Sequence, residues 1–176
     1  MNCGLRIADC GLRIRQAHIR DQLISRIASW REEIAGFTQA LVAIPTENPP
    51  GRDYAACIAL LERKCSEIGL PCEGIAVPAG PCLLASYGRG RRSLYFHGHY
   101  DVVPASRKTQ FGPRRRGARL FGRGSADMKG GLAAMIYAVK AIKACGIEMP
   151  GTVVLTMVPD EDTGGALGSQ FLGPPG

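Results

Sequence analysis

The chain has 176 residues, of which 45% are apolar and 21% charged, and its formal net charge is +7. This length fits one ordinary globular domain and is short for a two-domain enzyme, while the apolar fraction is normal for a folded core. No run approaches the ~18 apolar residues that a membrane span needs. Charged residues also interrupt the N-terminus, where a secretory signal would be apolar. We therefore expect a cytoplasmic protein without a membrane partner.

The first 21 residues look like an addition to the domain. The pentapeptide CGLRI occurs at residues 3–7 and again at 10–14, and two copies are too few to build a repeat protein. We predict that residues 1–21 are a disordered or spurious extension, and that the domain occupies residues 22–176.

Helical and strand patterns alternate after this segment. The predicted elements, in chain order, are helices over about 22–44 and 53–68, strands over 72–77, 82–87 and 93–97, a helix over 126–145, and a strand over 152–158. Gly69 and Gly146 are expected to end the second and third helices, and Ser125 to cap the third. This order of elements predicts an α/β layer structure.

Positive charge is concentrated around a loop predicted at about 104–119. Residues 89–123 hold nine arginines and Lys108 against a single acidic residue, Asp101. Such a patch has three interpretations: a solvated surface loop, a surface that attracts a small anionic substrate, and a surface that binds nucleic acid. The run Arg114–Arg116 has no interleaved aromatic residues and no RNA-binding signature, which argues against nucleic acid.

The seven cysteines are interpreted as reduced thiols. Their number is odd, no two are spaced as C-x-x-C, and no export signal precedes them, which disfavours a disulfide framework or a thiolate zinc site. A cysteine hydrolase using Cys145 with His97 or His99 is a further hypothesis. It is weakened because Cys145 follows the C-terminus of a predicted helix, where the helix dipole disfavours a thiolate.

Two polar clusters border predicted strand or helix ends. The first, HGHYDVVP at 97–104, leaves an apolar strand, so that His99 and Asp101 can face the same side. A neutral imidazole is a good zinc ligand, and a nearby carboxylate can fix its tautomer. The second cluster is GRGSADMKGG at 122–131. Its Asp127 lies among glycines, which allow the backbone to approach a ligand closely. Because Ser125 is available as the helix cap, Asp127 is free for another role.

A third cluster, PDEDTGG at 159–165, directly follows the predicted buried strand. Asp160, Glu161 and Asp162 are consecutive carboxylates, whose repulsion a cation or shared protons would relieve. The three clusters together offer imidazole and carboxylate but no thiolate, which suits zinc, cobalt or manganese. An aspartate between two metals ~3.5–4 Å apart would fit a co-catalytic hydrolase in which one carboxylate stays unligated as the general base.

The motifs HGHYDVVP, GRGSADMKGGLAAM and PDEDTGG resemble, in this order, those of a zinc-dependent family of metallopeptidases and amidohydrolases. That family includes acetylornithine deacetylase, succinyl-diaminopimelate desuccinylase, aminoacylase and glutamate carboxypeptidase. The turn IPTENPPG is also similar, and the resemblance covers about residues 23–172. It implies a three-layer α/β domain with a central, mostly parallel sheet flanked by helices, and in the intact family an inserted lid and dimerisation domain.

The resemblance also implies a role for each candidate site residue. His99, Asp127 and Asp162 would be metal ligands, with Asp127 bridging two zinc ions, Asp101 would orient His99, and Glu161 would be the general base. Asp162 stands where the family usually has glutamate, and it remains a competent oxygen ligand. His97 is not expected to be a ligand, and the peptide bond between Asp127 and Met128 is expected to be cis.

The implied function is hydrolysis of an amide bond in N-acyl amino acids or small peptides by a metal-activated water. The family's further carboxylate and histidine ligands, and the domain through which its members form homodimers, have no counterpart in this sequence. We therefore expect a domain that is incomplete at its C-terminus and an impaired activity. The alternative is a catalytically inactive remnant whose basic loop binds anions or nucleic acid. The sequence does not identify the acyl group or the amine.

Overall fold

A computed structural model of the protein describes residues 4–172, with side chains from residue 16 onward. The helices are α1 (Gly4–Ser29), α2 (Arg31–Ala43), α3 (Tyr54–Glu67) and α4 (Lys129–Ala144). The strands are β1 (Cys72–Val77), β2 (Gly80–Gly88), β3 (Ser93–His99), β4 (Arg114–Arg116), β5 (Arg119–Phe121) and β6 (Thr152–Val158). Within residues 4–172, no helix is long and apolar enough to cross a membrane.

The first predicted helix is divided in two. α1 ends at Ser29 and α2 begins at Arg31, with Trp30 between them at φ −100° and ψ 13°, outside helical geometry. The segment expected to be an N-terminal extension is helical from Gly4 onward. Residues 1–3 lie outside the described residues, and the status of the segment as an extension stays a prediction.

The ends of α3 and α4 follow the prediction, but the start of α4 does not. Gly69 and Gly146, which follow these helices, have φ values of +66° and +62°, the left-handed geometry in which glycine often ends a helix. α4 begins at Lys129, and its N-cap position is Met128, which makes no side-chain capping bond. The predicted cap at Ser125 is therefore wrong, because the residues before Lys129 form a turn that precedes the helix.

The central sheet has four strands in the order β1-β2-β6-β3. β1 pairs with β2 and β2 with β6 in antiparallel fashion, and only β3 and β6 are parallel. The expected α/β class is confirmed, but a mostly parallel sheet is not found within residues 4–172. The connections between the strands explain this difference. β1 and β2 are joined as a hairpin and pair in antiparallel fashion, whereas β3 and β6 are joined through a helix, the type of connection that a parallel pair requires.

The core lies between the sheet and one layer of helices. Its buried residues come from α2, α3, α4, β2 and β6, and include Leu41, Leu61, Ile136, Leu83 and Leu155. The opposite face of the sheet carries a small cluster of Val77, Cys82 and Val158, against which Leu172 packs. Within the described residues the helices therefore cover one face, and the third layer expected from the resemblance is not present there.

The basic loop contains a hairpin that sequence analysis missed. β4 and β5 pair in antiparallel fashion, with Arg114 opposite Phe121 and Arg116 opposite Arg119. Gly117, at φ +58°, occupies the turn between them. Three consecutive arginines lack the apolar alternation that predicts a strand, so only the structure identifies this element.

Close packing of α4 on β3 positions the residues that follow. A Cβ atom at Gly98 would lie 2.8 Å from Cδ2 of Leu132 and 2.9 Å from Cε of Met135, so glycine is needed there for the helix to approach the strand. Because β3 and β6 are parallel, with His99 paired to Val158, their carboxyl ends lie at the same edge of the sheet. The first and third polar clusters therefore meet at this edge.

Candidate metal centre

His99, the last residue of β3, is at the centre of the cluster. It is buried, with 3% of its surface exposed. Its Nδ1 lies 3.2 Å from Oδ1 of Asp101. On the other side of the ring, Nε2 lies 3.1 Å from Oδ1 of Asp127 and 3.5 Å from Oε2 of Glu161. One nitrogen of the imidazole therefore contacts the buried carboxylate of Asp101. The other nitrogen faces the carboxylates of Asp127 and Glu161, which are more exposed to solvent.

Asp101 is fully buried and accepts hydrogen bonds from several groups. The backbone N–H groups of Glu161 and Asp162 donate to its two oxygens at 3.3 and 3.2 Å, and the side-chain amide of Asn48 donates at 3.0 Å. Burial alone would raise the pKa of Asp101, but hydrogen bonds from His99 and Asn48 hold that pKa below its usual value. Asp101 is therefore a fixed negative charge that also holds the third cluster in place.

The three carboxylates of the third cluster, Asp160, Glu161 and Asp162, do not all face His99. Asp162 offers an oxygen that lies within 4.8 Å of ligand atoms of His99 and Asp101. Burial, together with the negative charges of its neighbours, raises the pKa of Asp162. Asp160 instead accepts hydrogen bonds from Thr163 and from the backbone N–H of Leu167. Asp160 therefore shapes the loop, whereas Glu161 and Asp162 face the cluster around His99.

The charge state of His99 reflects this surrounding ring of carboxylates. Burial disfavours the charged imidazolium, but the hydrogen bond and charge of Asp101, reinforced by Asp127 and Glu161, raise the pKa of His99 to about 9. A buried imidazole surrounded by carboxylates is an environment that a divalent cation would also neutralise.

The donors fit a divalent cation in their chemistry. One imidazole nitrogen and several carboxylate oxygens converge, and ligand atoms of His99, Asp101 and Asp162 all lie within 4.8 Å of one another. Sequence analysis assigned Asp101 to orientation of the histidine, whereas this geometric group includes it among possible ligands. All five predicted site residues are therefore brought together by the fold, and the peptide bond between Asp127 and Met128 is cis as the resemblance implies.

Sequence analysis missed Asn48 as part of this site. In the sequence Asn48 is only one residue of the turn IPTENPPG, but its buried amide contacts Asp101 and, at 2.9 Å, Oγ1 of Thr163. The backbone brings it there, because Asn48 N–H donates to the carbonyl of Val102, the residue after Asp101. The similarity of the turn IPTENPPG to the family was the one signal in the sequence that pointed to this position.

His97 and Cys145 lie away from the metal-binding arrangement. The ring nitrogens of His97 contact Oγ1 of Thr156 at 2.8 Å and Oγ of Ser169 at 3.0 Å, so His97 is engaged elsewhere. Cys145 caps the C-terminal end of α4, a helix of 16 residues and thus about 24 Å long, while Asp127 precedes its other end. A cysteine hydrolase built on Cys145 and His99 is therefore excluded. The five cysteines whose side chains are described are free thiols.

A cavity of about 510 Å³ lies beside the cluster. Asp127 and Asp162 belong to its wall, together with Ser125, Gln110 and two arginines, Arg114 and Arg123. This volume is in the range of ligand-binding pockets, about 300–1,000 Å³. The carboxylates around His99 are therefore next to a space that can admit a small molecule.

Comparison with known proteins agrees with this geometry. Residues 95–173 match the family described as Peptidase family M20/M25/M40. The chain is 32% identical over 156 residues to N-formyl-4-amino-5-aminomethyl-2-methylpyrimidine deformylase from Halalkalibacterium halodurans, an alignment that covers 83% of this chain and 36% of that protein. It is 33% identical over 135 residues to succinyl-diaminopimelate desuccinylase from Xylella fastidiosa, covering 74% of this chain and 35% of that protein.

The fold itself is also shared with a solved structure. The di-peptidase Dug1p from Saccharomyces cerevisiae has a TM-score of 0.67 and 22% sequence identity, over 84% of this chain and 36% of that one. The segment that matches Peptidase family M20/M25/M40, residues 95–173, is the one that carries the three motifs. The chain spans about a third of the length of the curated relatives, 36% and 35% for the two named above.

Proposed function

We propose that this chain carries the divalent-metal centre of a hydrolase that cleaves an amide bond in N-acyl amino acids or small peptides. One observation supports this proposal above the others. The Nε2 atom of His99 lies within 3.1 Å of Asp127 and 3.5 Å of Glu161, while Nδ1 lies against the buried carboxylate of Asp101. This is the arrangement of a histidine ligand whose second nitrogen is oriented by a carboxylate.

The ligands proposed are His99, Asp127 and Asp162, with zinc as the metal and Asp127 shared between two ions. Asp101 is not assigned as a ligand, although it lies close enough, because its oxygens accept hydrogen bonds from Asn48 and from two backbone N–H groups. Together with the contact to Nδ1 of His99 at 3.2 Å, these bonds account for the roughly four lone pairs of the carboxylate. They suit a carboxylate that holds the imidazole in one tautomer.

Glu161 is proposed as the general base. A bound divalent ion would supply the acidity that ionises water near neutral pH. The carboxylate of Glu161 is on the Nε2 side of His99, and 53% of its side chain is exposed, so it can reach a water in the cavity. It would take a proton from that water and pass it to the nitrogen of the leaving amine.

The substrate class rests on the relatives. One is a deformylase of an N-formyl compound and another a desuccinylase by name, and both names describe removal of an acyl group. An amide bond with a small acyl group is therefore the proposed target, and a cavity of about 510 Å³ next to Asp127 and Asp162 could hold such a molecule.

The proposal is tested by metal analysis of the purified chain and two histidine variants. Zinc retained after dialysis would be measured by atomic absorption for the natural chain, His99→Ala and His97→Ala, and hydrolysis of an N-acetyl amino acid would be followed before and after chelation. His97→Ala is the matched control, since His97 is on the same strand but contacts Thr156 and Ser169.

We expect zinc to be retained by the natural chain and by His97→Ala, and lost by His99→Ala, with any hydrolysis sensitive to the chelator. Zinc retention by His99→Ala, or its absence from the natural chain at saturating zinc, would contradict the ligand assignment. Hydrolysis that persists after complete removal of metal would contradict the proposed chemistry.

A further inference from the structure

Strand β3 forms one edge of the central sheet, and most of its length is uncovered. The strand order β1-β2-β6-β3 leaves β3 with a single neighbouring strand among the described residues. Residues 93–97 are all exposed, whereas Gly98 and His99 at the end of the strand are buried. An edge strand offers unpaired backbone N–H and C=O groups to a second strand that lies beside it. The stretch 93–97 is therefore open to pairing.

The backbone groups that are free on this edge belong to alternate residues. On either side of the exposed stretch, the carbonyl of Arg92 accepts a backbone bond from β6 and the N–H of Tyr100 donates one to it. Successive residues of a strand direct their backbone groups to opposite sides. Ser93, Tyr95 and His97 therefore direct theirs outward, and within residues 4–172 these three make no backbone hydrogen bond outside the sheet.

The same stretch exposes large apolar side chains. Leu94 has 54% of its surface exposed, Tyr95 63% and Phe96 45%. The sequence of β3, SLYFHGH, contains no lysine, arginine, carboxylate or proline, the residues that commonly keep an edge strand from pairing. The opposite edge strand, β1, does carry such a residue, the exposed Glu73. The edge of the sheet that is suited to association is therefore β3.

The two ends of β3 carry opposite charge. Arg91 and Arg92, directly before the strand, are exposed. The carboxyl end is bordered by Asp127 and Glu161, whose side chains are 78% and 53% exposed. When two copies of β3 lie antiparallel, each basic end meets the acidic end of the partner, whereas a parallel arrangement would put arginine beside arginine. Charge complementarity therefore favours a second copy of this chain in the antiparallel arrangement.

We propose that two copies of this chain associate by antiparallel pairing of residues 93–97, which joins two four-stranded sheets into one of eight strands. Full overlap of the exposed stretches puts Tyr95 opposite the partner's Tyr95, and Ser93 opposite the partner's His97. These residues have the outward backbone groups, so the pairing makes about six backbone hydrogen bonds. Leu94 lies opposite the partner's Phe96, which covers apolar side chains on that face of the sheet.

The association ends at two copies. Both chains use the same edge, so a two-fold axis relates them, and no second β3 edge is left to extend the assembly. The pairing requires neither a bound metal nor hydrolysis. It therefore stands or falls independently of the proposed function.

The test measures the dimer dissociation constant of the metal-free chain by sedimentation equilibrium. The proteins are the natural chain, Tyr95→Lys, Tyr95→Glu, an equimolar mixture of these two variants, and Phe171→Lys as matched control. Either single change at Tyr95 places like charges directly opposite each other in the dimer, which is destabilising. Phe171 is an aromatic residue of similar exposure, 57%, that lies outside β3.

We expect a monomer–dimer equilibrium for the natural chain. The dissociation constant should rise at least tenfold in Tyr95→Lys and in Tyr95→Glu, and stay within twofold in Phe171→Lys. The mixture of the two Tyr95 variants should recover the dimer, because opposite charges then face each other across the axis. Two unfolded variants would not recover it together, so recovery separates lost pairing from lost folding. Failure of folded variants to recover would overturn the pairing of Tyr95 with Tyr95.

Amide hydrogen exchange followed by NMR tests the pairing residue by residue. The N–H groups of Ser93, Tyr95 and His97 should become at least tenfold better protected as the concentration rises through the dissociation constant. Those of Leu94 and Phe96 point toward β6 and should change less than twofold. Protection gained equally by all five residues would contradict an edge-to-edge contact and overturn the proposal.

The oligomeric state and its response to salt decide between occupants of this edge. A natural chain that stays monomeric at every concentration would leave the edge to a different polypeptide and overturn the proposal, as would association that continues beyond two copies. Moderate salt should weaken the dimer, because it screens Arg91 and Arg92 from the partner's carboxylates. A dimer that tightens under the same conditions would overturn the antiparallel arrangement.

Discussion

The side-chain amide of Asn48 donates a 3.0 Å hydrogen bond to Oδ2 of Asp101, from a position 53 residues away in the sequence. The same amide donates to Oγ1 of Thr163 at 2.9 Å. One buried side chain therefore joins the turn after α2, the carboxylate proposed to orient His99, and the loop that carries Glu161. The site depends on this connection for its geometry.

Replacing Asn48 with alanine removes this donor and leaves the buried carboxylate of Asp101 less well satisfied. We expect the free energy of unfolding to fall by about 1–3 kcal/mol. Zinc affinity should fall about 10–100-fold, because partners of the groups that orient metal ligands have effects of that size. Urea denaturation of the metal-free protein and zinc titration by calorimetry measure the two effects separately.

The matched control is Arg52→Ala, an exposed residue of the same turn. Its variant should differ from the natural chain by less than about 0.5 kcal/mol, as is usual at surface positions. An equal loss of zinc affinity in both variants would show that the turn as a whole, and not the amide of Asn48, supports the site.

Lys129 caps a helix from the interior of the protein. It is fully buried, and its Nζ donates to the carbonyls of Leu41 and Ile44 at 2.9 and 2.7 Å, at the C-terminal end of α2. Burial lowers its pKa to about 8. Lys129→Met keeps the length of the side chain but removes both of these charge-assisted hydrogen bonds, leaving each carbonyl with only a backbone donor, Ile44 N–H or Thr46 N–H. We expect a loss of about 2–3 kcal/mol in urea denaturation.

Lys143 provides a matched comparison for this variant. It lies on the same helix and donates to the carbonyls of Ile68 and Gly69 at the end of α3, but its side chain is exposed. Water can replace its hydrogen bonds, so Lys143→Met should cost less than about 1 kcal/mol. Equal losses in the two variants would show that burial does not set the size of the effect.

Glu33 links three helices by hydrogen bonds that depend on its charge. The hydroxyl of Tyr137 and Nζ of Lys140, both on α4, donate to it at 2.8 Å, and Nζ of Lys64 on α3 lies 3.7 Å away. Burial acts to raise the pKa of Glu33, but the hydrogen bonds from Lys140 and Tyr137 prevail and lower it below its usual value of 4.5. The folded state therefore favours the ionised carboxylate.

Because the pKa of Glu33 is lowered in the folded state, its ionised carboxylate stabilises the fold. This stabilisation is fully present above about pH 4.5 and is lost as the pH falls through the pKa of folded Glu33. Because 40% of the Glu33 side chain is exposed, solvent screening limits it to about 1 kcal/mol. We expect Glu33→Gln to be less stable than the natural chain at pH 7, and the difference to shrink near pH 3. A stability difference between the two proteins that grows as the pH falls would contradict a lowered pKa of Glu33.

Glu161 and Asp162 are adjacent in the chain, and we propose the first as general base and the second as metal ligand. Replacing each with its amide should distinguish these two roles. In Glu161→Gln we expect zinc to be retained while the hydrolytic rate falls about 10²–10⁴-fold, the usual contribution of a general base. In Asp162→Asn we expect zinc to be lost. Zinc analysis after dialysis and initial rates on an N-acetyl amino acid measure both; loss of zinc from Glu161→Gln would instead make Glu161 a ligand.

Sequence patterns predicted most of the elements well because local rules set them. The apolar stripe of α3, the glycines at 69 and 146, and the buried run of β6 each depend on residues close in the chain. The break at Trp30, the hairpin of β4 and β5 and the later start of α4 were not predicted. These depend on packing against distant segments, which a local pattern does not contain.

The sequence by itself determined the residue types of the site, since imidazole and carboxylates at three ordered motifs define a metal-binding chemistry wherever they meet. Only the tertiary structure decided which of them meet and how. Parallel pairing of β3 with β6 and the close approach of α4 at Gly98 bring His99, Asp127 and Glu161 within hydrogen-bonding distance or close to it. The same packing places Asn48 on Asp101 and two arginines on the cavity wall, because contacts between residues far apart in the chain form only when the core is packed.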